Sequence, residues 1–218
     1  MKFLYVIIAS PFVLFSRMSE VFDLWGIRSD IMCCLEIIDS MANSVPHAFI
    51  GVLVAAEDHR NSFHPGVDPI AMIRAVFVRV KCGQIQGAST IEQQFVRVVS
   101  KRYKKSIGRK IREQALAIAV SRYKSKTEIA SAYLAIAYYG ANSIGIQGLK
   151  KCCGSNLELA DYPKIRRIIS QLKYPEPLTP SLHWQIKRNK RMGYIADNQN
   201  CQLKKQPAMF RLILKSIH

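Results

Sequence analysis

The chain has 218 residues, 49% of them hydrophobic, which is enough apolar content for a folded core and excludes a mainly disordered protein. It carries 32 lysines and arginines against 15 acidic residues, for a formal net charge of +17. This excess predicts a polyanionic partner, which is a nucleic acid, an anionic membrane surface or a phosphorylated substrate. The six cysteines follow no zinc-binding spacing, and we expect idle or buried thiols rather than a disulfide framework.

The N-terminal segment is apolar and is flanked by positive charge. Residues 3–15 contain almost no polar side chain, with Lys2 before them and Arg17 after them. The run is shorter than the ~20 apolar residues of a comfortable membrane span, so an uncleaved anchor, an interfacial helix and a core helix all remain open. We favour a membrane anchor at residues 1–17, since Lys2 suits a cytoplasmic N-terminus and places the remainder outside the cytoplasm.

The remainder is predicted to be one helical domain over residues 18–200, followed by a basic tail at 201–218. Pro69 starts one helix, as prolines do in the first turn, and Ser89-Thr90-Ile91-Glu92 has the form of a capping box. No run shows sustained period-two alternation, so the predicted fold class is mainly α. The predicted helices span residues 31–38, 46–58, 69–80, 90–100, 109–124, 126–139, 157–172 and 182–195, with loops at 59–69, 82–88 and 140–148.

Glu57 is the first candidate site residue. Ile50, Leu53 and Glu57 fall at i, i+3 and i+7 of one helix face, which places a carboxylate among apolar side chains. An acid in such a setting is either paired with a partner or poised for proton transfer. The polar turn that follows contains His64, which we expect to shape the loop.

The second candidate segment is a helix start at residues 87–97. Ser89 or Thr90 caps this helix, whose free N–H groups attract phosphate. Thr90, Gln94 and Arg97 share one face, which offers a hydroxyl, an amide and a cation to a sugar-phosphate ligand. By spacing alone, the simpler interpretation, a capped surface helix, is favoured.

The third candidate segment is the basic stretch at residues 101–112. Glu113 shares a helix stripe with Leu116 and Val120, and Arg109 stands four residues before it, so an ion pair is expected. Such pairs contribute only ~0.3–0.5 kcal/mol when they stand alone on a helix surface. The stretch holds a single aromatic residue, which is poor for a single-stranded nucleic-acid groove, and a diphosphate or anionic headgroups fit as well as nucleic acid.

In this order, the segments resemble the family 51 peptidoglycan glycosyltransferases, which are the monofunctional transglycosylases and the glycosyltransferase domain of class A penicillin-binding proteins. The resemblance runs from about Val45 to Arg191, and three spaced motifs in the correct order make a strong signal. The chain departs from the family at Asn61, where an aromatic is usual, and at Ser131 and Ala135, where Glu and Asn are usual. The matched residues are Glu57, Asp58, His64, Gly66 and Asp68 in the first motif, Gly87, Ser89, Thr90, Ile91, Gln93 and Gln94 in the second, and Arg109, Lys110 and Glu113 in the third.

The resemblance implies a lysozyme-like, mainly α domain that polymerises lipid II into glycan strands, with inversion at the anomeric carbon and release of lipid pyrophosphate. It implies that Glu57 is the general base and that Glu113 supports the second subsite. It also implies that cations neutralise the pyrophosphate and that Thr90 and Gln94 hydrogen-bond the donor. The implied substrate-binding residues are Asp58, His64, Ser89, Thr90, Gln93, Gln94, Arg97, Lys101, Lys105, Arg109 and Lys110.

The implied partners are lipid II, the growing glycan chain, the membrane and other cell-wall synthases, with no nucleic acid. We expect a monofunctional enzyme on the bacterial inner membrane, with its catalytic domain on the periplasmic side. The sequence shows no metal site and requires no cofactor, although Mg²⁺ or another divalent ion can assist in this family. Two other interpretations remain open: a weakly active or inactive homologue that binds lipid II or cell-wall synthases as a scaffold, and a basic helical nucleic-acid binder, which rests on charge alone.

Overall fold

The structure is a computed structural model that describes residues 2–84, 86–103 and 106–205. The described residues are mostly helical, so the predicted mainly α fold class is confirmed. In chain order the elements are α1 (Lys2–Val21), a 3-10 helix (Leu24–Gly26), α2 (Ile27–Met41), α3 (His47–Glu57), α4 (Pro69–Cys82), α5 (Ile91–Ser100), α6 (Ile107–Tyr123), α7 (Lys126–Ile136), β1 (Tyr138–Gly140), β2 (Ser143–Ile144), α8 (Gly145–Cys153), a 3-10 helix (Leu157–Leu159), α9 (Tyr162–Gln171) and α10 (Leu182–Lys205).

The elements fall into two compact units. The first unit comprises Met1–Pro46 and Arg60–Ala137, and it holds α1, α2 and α4 to α7. The second comprises His47–His59 and Tyr138–His218, and it holds α3, the two strands and α8 to α10. Each unit has its own set of packed helices and is described by itself below.

Helix α6 is the central element of the first unit, in contact with α1, α2 and α5. Every side chain from Arg112 to Val120 is buried, and alanines at alternate positions let the neighbouring helices approach closely. The loop after residue 60 also crosses α6. Gly66 has a φ of +111°, and a Cβ there would lie 2.7 Å from the Ala117 carbonyl oxygen, so only glycine fits.

The helix starts of the first unit are capped by short polar side chains. Asp68 caps α4 by accepting the Ala71 N–H, and Thr90 caps α5 by accepting the Gln93 N–H. The predicted capping box from Ser89 to Glu92 is wrong, because the N-cap falls one residue later and the Glu92 side chain turns to other partners. A complete capping box is instead present at the start of α7.

Helix α1 has one buried and one exposed face. Tyr5 and Ser16 lie on the buried face, where the Ser16 hydroxyl donates to the Ala115 carbonyl at 2.7 Å. Among the described residues, no single helix has the length and apolar content of a membrane span. The segments Tyr5–Val21 and Leu24–Met41 meet these two criteria only when they are taken together, and they are bent by 99° relative to each other. The boundary predicted at residue 17 falls inside α1, and the anchor stays a prediction.

In the second unit, α3 packs against α9 and α10, and β1 pairs with β2 in an antiparallel ladder. The helix predicted for 126–139 ends earlier because Tyr138–Gly140 forms β1, and the loop predicted at 140–148 contains β2 and the first turn of α8. These strands are too short to show a period-two pattern in the sequence, so the sequence did not predict them. The helix predicted for 157–172 is divided, because Asp161 caps a new helix whose first turn holds a proline.

The last helix, α10, continues to Lys205, ten residues beyond the end predicted from the sequence. The predicted boundary at residue 200 therefore falls inside a helix. The remainder of the predicted basic tail, residues 206–218, lies outside the described residues.

Candidate active-site residues

In the first unit, the Glu113 carboxylate lies among three cations. Its side chain is 4% exposed, and it accepts hydrogen bonds from Arg97 Nε and Nη2 at 2.9 Å, from Arg109 Nη1 at 2.5 Å and from Lys110 Nζ at 2.6 Å. Arg97 comes from α5, and the other two cations come from the first turn of α6. We call Arg97, Arg109, Lys110 and Glu113 the cation cluster. The predicted pair of Arg109 with Glu113 is confirmed.

The charges of the cation cluster are unequal, with three positive groups against one negative group. Burial by itself raises the pKa of the Glu113 carboxyl, but hydrogen bonds from Arg97 and Lys110 outweigh it and hold that pKa below its ordinary value. The pKa of Lys110 is also lowered, because burial and the charges of Arg97 and Arg109 outweigh its bond to Glu113. The ammonium group is therefore incompletely compensated, and a further anion beside it would be stabilised.

Two residues of the second motif reach the cation cluster through Lys110. The Lys110 Nζ donates to Gln93 Oε1 at 2.8 Å and to Ser89 Oγ at 3.2 Å, and Arg97 Nη2 lies 3.4 Å from the same hydroxyl. Gln93 is buried, and its Nε2 has no hydrogen-bond partner among the described residues. The structure therefore brings five of the predicted substrate-binding residues together with Glu113: Ser89, Gln93, Arg97, Arg109 and Lys110.

The Thr90 and Gln94 side chains join α5 to its neighbours. The buried Thr90 hydroxyl donates to the Gly66 carbonyl at 2.7 Å and accepts the Gln93 N–H at 3.3 Å. Gln94 Oε1 accepts a hydrogen bond from the Tyr133 hydroxyl of α7 at 2.8 Å. Both residues thus have a structural role, and their contacts with a donor substrate stay predictions.

Two more of the predicted substrate-binding residues are lysines. Lys101 follows α5 with a left-handed φ of 51°, and its side chain is exposed. Within the described residues, no ion pair joins Lys101 to Glu113. Lys105 lies outside the described residues. The predicted contacts of both lysines with pyrophosphate stay predictions.

Glu92 is another buried carboxylate of the first unit, and its sequence position does not single it out. Its Oε1 accepts hydrogen bonds from Lys126 Nζ at 2.5 Å and from Asn61 Nδ2 at 3.0 Å. Asn61 therefore joins its loop to α5, which gives a physical reason for a polar residue where an aromatic is usual. The loop-shaping role predicted for His64 is confirmed, because its Nδ1 accepts the Gly66 N–H at 3.2 Å; its contact with substrate stays a prediction.

The other two departures from the family pattern lie in α7 and belong to its packing. The Ser131 hydroxyl donates to the Met41 carbonyl, the last residue of α2, at 3.3 Å. Ala135 is buried in the same helix. Both positions hold the helices of the first unit together, as expected for the scaffold behind a site.

In the second unit, Glu57 ends α3 and is paired with a cation from α10. Arg191 Nη2 donates to Glu57 Oε1 and to the Ala56 carbonyl, both at 2.7 Å. The apolar face predicted for this helix is confirmed by the burial of Ile50 and Leu53. The Glu57 side chain is 17% exposed. Sequence spacing could not identify Arg191, which is 134 residues away along the chain.

Asp58 directly follows the proposed base. Its backbone N–H donates to the Val54 carbonyl at 3.0 Å, and its side chain is buried. Glu57 and Asp58 belong to the second unit, whereas Glu113 belongs to the first. The prediction that the two glutamates line one cleft stays a prediction, as does a substrate contact of Asp58.

The surroundings of Glu113 do not suit direct binding of a divalent ion. Mg²⁺ prefers anionic and neutral oxygen ligands. Both Glu113 oxygens instead accept hydrogen bonds from cations, and three positive charges would repel a metal ion at this position. We therefore derive no catalytic step through a metal at Glu113. Assistance by Mg²⁺ remains a prediction from the resemblance.

A mainly α chain that carries Glu57 at a helix end and a cation cluster suited to a diphosphate has the features of a transglycosylase. The sequence pattern of the transglycosylase family matches residues 37–196, and the chain belongs to this family. The predicted class, a peptidoglycan glycosyltransferase, is thereby confirmed at the level of the family.

Several similar proteins are penicillin-binding proteins. The chain is 30% identical over 192 residues to penicillin-binding protein 1A of Aquifex aeolicus, and the matched region covers 83% of this chain and 26% of that protein. It is 36% identical over 138 residues to penicillin-binding protein 1A of Haemophilus influenzae, covering 62% of this chain and 16% of that protein. The chain is also 30% identical over 184 residues to penicillin-binding protein 1A of Vibrio cholerae, and this match covers 84% of this chain and 22% of that protein. The chain thus spans about a quarter or less of the length of these relatives.

Proposed function

We propose that this chain polymerises lipid II into peptidoglycan glycan strands. The 4-hydroxyl of an incoming N-acetylglucosamine attacks the anomeric carbon of a donor chain, which inverts, and lipid pyrophosphate leaves. The observation that carries the proposal is the cation cluster, in which three cations surround one buried carboxylate. A pyrophosphate supplies the negative charge that this excess of positive charge attracts.

The cation cluster is suited to the leaving group. Negative charge grows on the pyrophosphate as its bond to the anomeric carbon breaks, and cations already held in place stabilise that charge best. Glu113 supports this by fixing the guanidinium groups of Arg97 and Arg109. Glu113 is thus a positioning residue in our proposal, and we retain Lys101 and Lys105 as predicted contacts of the pyrophosphate.

Glu57 is the proposed general base. It accepts the proton of the attacking 4-hydroxyl while the new bond to the anomeric carbon forms. Its partly buried place at the end of an apolar helix limits competition from water. The resemblance assigns substrate contacts to Asp58, His64, Thr90 and Gln94, which we retain as part of the proposal.

The proposed location is the periplasmic side of the inner membrane, with other cell-wall synthases as partners. Several large apolar side chains are exposed on α1 and α4, including Val6, Leu14 and Phe77. A net charge of +17 suits an anionic leaflet, where each nearby cation contributes about 1 kcal/mol. Both features support attachment to a membrane through residues 1–17 and their neighbours.

A polymerisation assay tests the proposal. Purified full-length chain with labelled lipid II is expected to form glycan polymer, and Glu57→Gln is expected to reduce the rate by about 10²–10⁴-fold, the usual contribution of a general base. Glu158→Gln, which removes the charge of an exposed acid, is the matched control and should keep the rate. Wild-type rates in the Glu57→Gln variant would remove the base assignment.

The same assay separates the alternatives. A scaffold homologue would bind lipid II, and a moenomycin-type donor-site inhibitor, without forming polymer. A nucleic-acid binder would instead show salt-dependent affinity for DNA and no response to lipid II. Addition and chelation of Mg²⁺ in the polymerising sample measure whether a divalent ion assists.

A further inference from the structure

We infer that Arg191 is a positioning residue that orients the Glu57 carboxylate. The inference rests on the proposed function, in which Glu57 accepts the proton of the attacking hydroxyl. One nitrogen, Arg191 Nη2, donates both to Glu57 Oε1 and to the Ala56 carbonyl at 2.7 Å. The side chain of the base and the backbone that carries it are therefore held by the same group.

The end of α3 is a favourable place for a guanidinium group. The last carbonyl groups of an α-helix lack partners within the helix, and the helix dipole attracts positive charge there. Arg191 satisfies the Ala56 carbonyl in this way. The Arg191 side chain is 11% exposed, so its attraction to Glu57 is less screened than that of a surface pair.

Arg191 is itself fixed by α10. Its guanidinium lies 4.9 Å from the centre of the Tyr194 ring, a distance at which cation and ring attract each other. Further along the same face, Ile195 is fully buried and Asn198 Nδ2 donates to the Ala55 carbonyl at 3.0 Å. The buried Nε of Arg191 has no acceptor among the described residues, so the bonds to Glu57 and Ala56 set the guanidinium orientation.

Within the second unit, α10 supplies a cation that pairs with Glu57. Helix α9, the other helix packed against α3, buries three isoleucines, a serine and a glutamine, which carry no charge: Ile165, Ile168, Ile169, Ser170 and Gln171. Asp58 and His59 follow Glu57 in the chain, and Tyr194 stacks on Arg191. The cation that fixes the Glu57 carboxylate therefore comes from α10.

Kinetics of three variants test this role. Arg191→Met is expected to lower kcat at least tenfold with KM for lipid II unchanged, because the carboxylate loses its orientation. Arg191→Lys keeps the charge and one donor group, and it should restore part of the lost kcat. Arg188→Met is the matched control, because Arg188 lies one turn away over Trp184, and it should behave like wild type.

A purely structural role for Arg191 predicts a different pattern. Arg191→Met would then melt at a lower temperature while its kcat at 25 °C matches wild type, and this result would overturn the inference. A rise of kcat in Arg191→Met would overturn it as well, because the ion pair would then restrain the base. Circular dichroism of every variant ensures that folded protein is compared.

A second measurement is independent of polymerisation. A water-soluble carbodiimide modifies accessible carboxyl groups, and mass spectrometry of the labelled chain quantifies modification of Glu57. Labelling in Arg191→Met is expected to be several-fold faster than in wild type and in Arg188→Met, because the guanidinium bonded to Glu57 Oε1 is gone. Equal labelling overturns the inference. Faster labelling in a chain that forms no polymer supports Arg191 while the proposed function fails, so the two outcomes are distinguishable.

Discussion

Two glutamates in this chain are placed in different electrostatic settings. Glu113 is 4% exposed and shares three cations, whereas Glu57 is 17% exposed and is paired with Arg191. The lowered pKa of Glu113 leaves that carboxylate a poor proton acceptor, and its hydrogen bonds hold the cations in place. The same type of side chain thus organises charge in the first unit and, in our proposal, accepts a proton in the second.

The largest effect expected in this comparison is the loss of stability in Glu113→Gln. The change leaves three close cations without their carboxylate, and breaking buried ion pairs in this way costs about 3–5 kcal/mol. Urea unfolding measures the free energy of unfolding of each variant. The control Glu158→Gln, on an exposed acid, should stay within about 0.5 kcal/mol of wild type. Equal losses in the two variants would contradict the special role of the cation cluster.

A smaller effect is expected at Glu92, which pairs with one cation and one amide. Asn61→Ala removes the amide and should cost about 1.5 kcal/mol, the usual value for a hydrogen bond to a charged group. Thermal unfolding measures the loss. In a Glu92→Gln background the same change should cost clearly less, because the carboxylate is gone. A cost that is equal in both backgrounds would show that Asn61 does not act through Glu92.

The smallest expected effect is the pH dependence of the stability that Glu113 contributes. Its pKa is lowered in the folded chain, so its contribution to stability is fully present above the ordinary value of 4.5 and is lost as pH falls through the lowered folded value. The free-energy difference between wild type and Glu113→Gln should therefore be constant above about pH 5.5 and shrink in acid. A difference that grows as the pH falls below 4.5 would have the wrong sign.

Local features of the fold and site were predictable from the sequence, and distant contacts were not. The start of α4 at Pro69 and the pair Arg109–Glu113 depend on residues within one helical turn. The bond from Arg97 to Glu113 joins two helices, and that from Arg191 to Glu57 spans 134 residues. Such contacts depend on which helix faces pack together, and spacing along one helix carries no information about this.

The most direct test of the roles proposed for Glu57 and Glu113 measures binding and turnover of lipid II in the same sample of Glu57→Gln. These roles predict wild-type affinity for the substrate together with a rate lowered about 10²–10⁴-fold, because the cation cluster is intact and only the proton acceptor is removed. Polymer formed at the wild-type rate, or a loss of binding that accounts for the whole loss of rate, would contradict them.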